Sequence, residues 1–187
     1  MSNLTTYKKI IIIACIVSIF LGIAFHFAYD FTNENRIVGL FTPVNESVWE
    51  HLKLILIPFT IFSLAFYFYT KQKFSNMILA TFLGNIVGMF VTVVLYYLGT
   101  KLFGNDNMVF NIIAFLAGVI SSYLVLYFSI YNTEFLEETK DSTLVGTCAL
   151  SLLLAMFLIG TVYPVKIELT RDPETNTYGI FKTYKNM

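Results

Sequence analysis

Imidazole and carboxylate side chains gather where the first apolar run of this chain ends and the second begins. His26 and Asp30 are four residues apart at the end of the first run, and His51 belongs to the stretch TPVNESVWEHLKL, residues 42–54, which opens the second. Residues four apart share one face of a helix. Histidine and carboxylate groups close together are typical of two chemistries, ligation of a zinc-type cation and acid–base catalysis.

The candidate metal ligands each offer an imidazole or carboxylate donor at one expected depth: His26, Glu46, Glu50 and His51. The cofactor that they would suit is a divalent metal such as zinc, which could activate water with a spare glutamate as base. Glu50 and His51 are also the candidate catalytic pair, in which one residue orients the other for proton transfer. Adjacent residues lie about 100° apart on a helix, so both cannot easily bind one ion. The metal and acid–base interpretations therefore remain alternatives.

A third interpretation is a polar pocket that binds a head group or a small ligand. Its candidate lining residues share a polar side chain near the same level: Asp30, Asn45, Glu46, Ser47 and Asn111. Part of this stretch also has a structural explanation. Thr42 and Pro43 suit the start of a helix, and Trp49 suits the membrane interface. Glu50 can form a salt bridge with Lys53 on the same helix.

The composition places this chemistry in a membrane protein. The chain of 187 residues is 57% hydrophobic and 13% charged, whereas soluble domains carry about 25% charged residues. Runs of roughly 20 apolar residues can cross a bilayer, and their backbone must then form helices to satisfy its own hydrogen bonds. Five such runs are present, at 10–29, 52–69, 77–98, 108–131 and 143–163. They predict an all-α integral membrane protein, with a five-helix bundle over residues 1–163.

Small residues recur at a spacing of four in the third and fourth runs. They are Ala80, Gly84 and Gly88 in one run, and Ala114, Gly118 and Ser122 in the other. Small residues spaced in this way let two membrane helices approach closely. The spacing predicts that these two helices pack against each other, and the alternative is a seam between two copies in a homo-oligomer.

The last segment, residues 164–187, departs from the apolar pattern. Val165, Ile167 and Leu169 alternate with polar residues, and the Asp172-Pro173 pair supplies turn chemistry. Further strand-forming residues follow the turn. The pattern predicts a short C-terminal β-hairpin that rests on the helix ends.

The distribution of lysines predicts the orientation in the membrane. Lys8 and Lys9 precede the first run, and Lys71 and Lys73 lie in the loop after the second. Loops rich in lysine and arginine stay in the cytoplasm. We therefore expect a multi-pass protein of the cell membrane with a cytoplasmic N-terminus and an extracytoplasmic C-terminus, although the basic residues of the C-terminal segment favour the opposite side. This orientation puts the polar residues and the hairpin together at the outer face.

Two blocks, PVNESVWEHLKLILIPF and DPETNTYGI, resemble a family of small bacterial integral membrane proteins of unknown function. That family has a P-V-N-E-S-x-W-E-H-x-K block that opens a span and a D-P-x-T-x-T-Y-G-I block near the end. The resemblance implies that the first block forms a family core, with Asn45, Glu46, Ser47, Trp49, Glu50, His51 and Lys53. It implies a second core with Asp172, Pro173, Tyr178 and Gly179. It implies no activity, but it supports a site where the two blocks meet.

Several classes of function are excluded by the sequence and three remain. The net charge of zero gives no basic field for nucleic acid, and no phosphate-binding loop indicates a nucleotide. The lipid bilayer is the expected partner. The first remaining function is that of a binding or transport component for a small ligand, ion or lipid head group. The second is a metal- or acid/base-dependent intramembrane hydrolase or transferase, and the third a structural envelope protein without a site. Histidine rings within about 6 Å of each other would favour a shared ion.

Overall fold

A computed structural model describes residues 2–104, 107–132, 136 and 141–180, with side chains from Thr5 onward. Within these residues the regular structure is entirely helical, and no strand is present. The elements are α1 (Ser2–Phe31), α2 (Arg36–Phe41), α3 (Val48–His51), α4 (Lys53–Tyr69), α5 (Met77–Phe103), α6 (Met108–Tyr131), α7 (Ser142–Val162) and a 3-10 turn (Glu168–Thr170).

Five helical segments are long and apolar enough to cross a membrane. They are Thr5–Phe31, Val48–Tyr69, Met77–Phe103, Met108–Tyr131 and Ser142–Val162. The second contains both α3 and α4, which are separated only at Leu52. The predicted all-helical membrane bundle agrees with the structure in this respect.

The second membrane-length segment occupies the centre of the bundle. Ile55, Phe59 and Leu56 of α4 are almost completely buried, whereas α1 exposes large apolar side chains such as Phe20 and Phe27. Exposed apolar side chains suit a helix that faces lipid, because hydrocarbon does not penalise them. The polar stretch of residues 42–54 therefore leads into the best-shielded helix.

The closest helix contact joins α5 and α6, which pack more extensively than any other pair in the described residues. A Cβ atom added at Gly88 would lie 2.7 Å from the Gly118 carbonyl oxygen, and one added at Gly84 would lie 3.0 Å from the Ser122 carbonyl oxygen. Thr92 Oγ1 donates across this seam to the Ala114 carbonyl oxygen over 3.2 Å. The predicted packing of these two helices is confirmed.

We expect the substitution Gly88→Ala to destabilise the bundle by about 1–3 kcal/mol, the usual cost of overpacking a well-packed contact. The new methyl group would press against the backbone of Gly118, which cannot move aside as a side chain can. Unfolding in detergent micelles measures the loss. The control is Val87→Ala at the preceding position, where the side chain is 39% exposed, and an equal effect of the two substitutions would contradict the close contact.

The predicted C-terminal β-hairpin is wrong. Within the described residues, the segment after α7 forms a 3-10 turn and one isolated antiparallel bridge between Arg171 and Tyr178; residues 181–187 lie outside the described part. Asp172 closes a tight turn instead, since its carboxylate accepts hydrogen bonds from Glu174 N at 2.9 Å and from Thr175 Oγ1 at 2.6 Å.

The segment after this turn bonds to the bundle rather than to a partner strand. Ile180 N donates to the Thr161 carbonyl oxygen at 2.9 Å, and Asn45 Nδ2 donates to the Gly179 carbonyl oxygen at 3.1 Å. The backbone groups that a hairpin would pair are thus used to dock the tail. It covers the end of the bundle where α1 and α5 end, α4 and α6 begin and α7 ends, which we call the site end.

Candidate metal site

A short capped turn between α2 and α3 positions the polar side chains. Ser47 caps α3 by accepting a hydrogen bond from Glu50 N at 3.3 Å, and Asn45 Oδ1 accepts one from Ser47 N at 2.9 Å. The helix thus begins at Val48 rather than at Thr42, where the sequence favoured its start. The early turn leaves Glu46 outside the helix, free to approach residues that helical spacing would not bring near it.

Glu50 and Lys53 form a completely buried ion pair. Lys53 Nζ lies 2.6 Å from Glu50 Oε2, and the two side chains are 0% and 1% exposed. Lys53 also donates to the carbonyl oxygens of Gly39 at 2.9 Å and Thr42 at 3.2 Å, so all three of its donors are used. Glu50 Oε1 accepts from Thr161 Oγ1 at 3.1 Å. The pair therefore joins the α2 region and α7 to the start of α4.

Each charged atom of this pair already has a partner. Glu50 Oε2, besides Lys53, accepts a hydrogen bond from Val44 N at 3.3 Å. Within the described part of the chain, the ligand atoms of His26, Glu46 and His51 lie close to one another, and Glu50 does not belong to that group. The Glu50–Lys53 salt bridge that the sequence spacing indicated is therefore present. Because both carboxylate oxygens of Glu50 already have partners, this residue is not free for the catalytic or metal-binding role that the sequence also suggested.

The two histidines and Glu46 come together at the site end. The ring centroids of His26 and His51 are 5.0 Å apart, within the distance of about 6 Å expected for a shared ion. His51 Nε2 lies 3.3 Å from Glu46 Oε2. One ligand atom from each of His26, Glu46 and His51 falls within 4.8 Å of the others. A small shift of these side chains would bring all three within bonding distance of one cation.

The orientation of His51 is fixed by the backbone. Its Nδ1 lies 2.9 Å from the Ser47 carbonyl oxygen, and because a carbonyl oxygen can only accept, Nδ1 carries the hydrogen in this bond. That leaves Nε2, the nitrogen nearest Glu46, available as a ligand atom. A backbone carbonyl bonded to the second ring nitrogen is the usual way in which proteins orient a metal-binding histidine.

His26 has an unused nitrogen. Its Nδ1 is buried and has no hydrogen-bond partner among the described residues, and its ring lies edge-on to Phe27 with centroids 4.8 Å apart. A buried polar atom without a partner is costly. A cation bound between His26 and His51 provides a reason for a histidine at this position.

Glu46 is held in its charged form. The hydrogen bond with His51 is the main cause that lowers the pKa of the Glu46 carboxyl, and the charges of His51 and His26 act in the same direction, while partial burial opposes them. Glu46 is ionised at neutral pH, as an ordinary glutamate is, and the lowered pKa extends this charged form, the one that binds a cation, to more acidic conditions. The electrostatics of this residue therefore suit a ligand.

Two cavities meet at this cluster, and Glu46 and Glu174 line both. The first, of about 140 Å³, is lined by polar groups that include His51, Thr92, Tyr96 and Asn111. The second, of about 170 Å³, is lined by His26, Asp30, Asn45 and Asp172 among others. The cluster thus lies on the wall between a cavity inside the helix bundle and a cavity under the tail.

The sequence-predicted residues divide into two groups. His26, Glu46 and His51 converge, and Asp30, Asn45 and Asn111 line the adjoining cavities. Glu50 lies in the buried pair, and Ser47 is a fully buried cap whose carbonyl oxygen holds His51. Sequence reasoning missed Glu174 and Thr161, and the D-P-x-T-x-T-Y-G-I block was the only available signal for the former.

The fold and this cluster define the class: an α-helical bundle with five helices long and apolar enough to span a membrane, and with paired histidines and a carboxylate at one end. The chain belongs to DUF6512, a family of unknown function, whose model matches residues 1–180. Comparison with curated proteins and with solved structures gave no match. Membership over nearly the whole length agrees with the family resemblance of the two sequence blocks to proteins of unknown function.

Proposed function

We propose that this membrane protein binds a divalent cation of the zinc type through His26, Glu46 and His51. The observation that carries the proposal is the convergence of their ligand atoms within 4.8 Å, together with the backbone hydrogen bond that presents His51 Nε2. Two imidazoles and one carboxylate are a donor set that zinc-type cations prefer.

A simple salt bridge explains this cluster less well. The Glu46–His51 contact would satisfy one histidine, but it leaves His26 beside a second imidazole with an unpartnered nitrogen. Two protonated rings with centroids 5.0 Å apart would repel each other. Two neutral rings on one cation relieve that repulsion and give both imidazoles a common partner.

We infer that the site faces the outside of the cell membrane. Lys8, Lys9, Lys71 and Lys73 belong to the opposite end of the bundle, and lysine-rich loops remain cytoplasmic. The tail, the cation site and both cavities then lie together on the extracytoplasmic side. From there the protein takes its cation or small ligand as a binding component.

The test is metal content. Protein purified in detergent, stripped with a chelator and dialysed against zinc should retain one zinc per chain by elemental analysis. The variant Glu168→Gln, which removes an exposed carboxylate of the tail outside the cluster, should retain the same amount. Zinc well below one equivalent in the wild-type protein would refute the proposal.

A further inference from the structure

The cavity beside His51 has one polar wall and one apolar wall. Tyr96 and Asn111 contribute polar groups, and Leu54 and Phe115 contribute apolar ones. Thr92 also lines it, but its hydroxyl is already bonded to the Gly88 carbonyl oxygen at 3.0 Å. Asn111, an exposed residue, has no side-chain hydrogen bond within the described part of the chain. The cavity therefore offers free donors opposite a hydrocarbon surface.

The charges on the walls select the kind of substrate. Glu46 and Glu174 line the cavity, and within the described part of the chain neither lysine nor arginine is among its lining residues. Sites for phosphoryl groups use such cations to hold the negative oxygens. An uncharged carbonyl group with an apolar substituent fits these walls better than a phosphate does, and a volume of about 140 Å³ admits only a small acyl group.

The three-residue ligand set leaves room for chemistry. Catalytic zinc sites have three protein ligands and keep a fourth position for water or substrate, whereas structural sites are closed by four. His51 and Glu46 both line the cavity, so an open position on their side would be reached from it. The buried alternative ligand, Glu50, is prevented from closing the site by its pair with Lys53.

Glu174 is placed to act as a base. It is the carboxylate, besides the ligand Glu46, that lines both cavities, and it does not belong to the converging ligand group. Its backbone is held by the bond from Glu174 N to Asp172 Oδ1 at 2.9 Å. A carboxylate beside a metal site that does not ligate the metal is the usual proton acceptor in hydrolysis.

Resting on the proposed cation site, we propose that the protein is a metal-dependent hydrolase of small uncharged acyl substrates, carboxylic esters or amides, with Glu174 as the base. The cation supplies positive charge that acidifies water and polarises the carbonyl. Water in the open position gives a proton to Glu174, and its oxygen bonds to the acyl carbon. The bond from that carbon to the leaving oxygen or nitrogen breaks, and Glu174 returns the proton to the leaving group. The products are a carboxylic acid and an alcohol or amine.

The first test compares two probes on zinc-loaded protein, p-nitrophenyl acetate and p-nitrophenyl phosphate. We expect hydrolysis of the acetate and not of the phosphate. Glu174→Gln should lower kcat for the acetate by about 100-fold or more, the usual contribution of a general base, and should leave the zinc content unchanged. Glu168→Gln, on the same tail, should keep both activity and zinc.

The second measurement does not depend on turnover. Acetohydroxamate added to cobalt-loaded protein should alter the visible spectrum of the cobalt ion, and Asn111→Leu should weaken this effect at unchanged cobalt content. Bound zinc without ester hydrolysis, or preferred hydrolysis of the phosphate, would overturn the hydrolase and leave the cation site standing. So would a Glu174→Gln variant with full kcat. Failure to bind zinc would remove both proposals.

Discussion

Replacing Lys53 with methionine should lower the free energy of unfolding by about 3–5 kcal/mol, the usual cost of breaking a buried ion pair by removing one partner. The substitution keeps the volume of the side chain and deletes its charge. Glu50, 1% exposed, would then be left charged in a shielded position with only the neutral donors Thr161 Oγ1 and Val44 N. The carbonyl oxygens of Gly39 and Thr42 would lose their donor as well.

Unfolding of the purified protein in detergent, followed by circular dichroism, measures this loss. The control is Lys166→Met, at an exposed position of the tail, and it should have little effect. The double variant Glu50→Gln with Lys53→Met should recover part of the stability, because no uncompensated charge remains. A single variant as stable as the wild type would show that the pair does not support the fold.

Removing His51 should weaken zinc binding by more than about 100-fold. Loss of an outer-shell partner alone costs about 10–100-fold in metal affinity, and His51→Ala removes a ligand together with its oriented Nε2. Competition with a chromophoric chelator gives the affinity. His26→Ala should have an effect of the same order, since the two rings face each other at 5.0 Å.

Ser47→Ala is the matched control for this prediction. It removes the hydroxyl that caps α3 but keeps the carbonyl oxygen that binds His51 Nδ1. We expect it to lower stability by about 1 kcal/mol, as loss of a helix cap does, and to weaken zinc binding far less than His51→Ala does. If His51→Ala bound zinc as tightly as Ser47→Ala, His51 would not be a ligand.

The membrane helices and the common end of the two histidines were accessible from the sequence. A helix rises 1.5 Å per residue, and a hydrocarbon environment requires helical backbone, so the depth of His26 and His51 follows from counting along α1 and along the segment that contains α3 and α4. The small residues of α5 and α6 similarly indicated close packing, because backbone approach depends on the absence of bulk at fixed spacing. These inferences use local chemistry alone.

The tail shows where local patterns fail. Val165, Ile167 and Leu169 alternate like a strand, yet a single bridge, Arg171–Tyr178, is all the pairing within the described part of that segment. A hairpin gains little stability on its own in water, whereas hydrogen bonds to Thr161 and Asn45 dock the tail on the bundle. The alternation was a real preference that tertiary contacts outweighed.

By itself, then, the sequence determined a bundle of five helices long and apolar enough to span a membrane, and the meeting of two histidines at one end, because a bilayer and the helical rise leave few alternatives. Only the tertiary structure decided which glutamate accompanies them. Glu46 and Glu50 were equivalent by residue type, but the cap at Ser47 turns Glu46 toward His51, and Lys53 draws Glu50 into a buried ion pair. That choice depends on the carbonyl oxygens of Gly39 and Thr42 and on Thr161, contacts that exist only once the chain has folded.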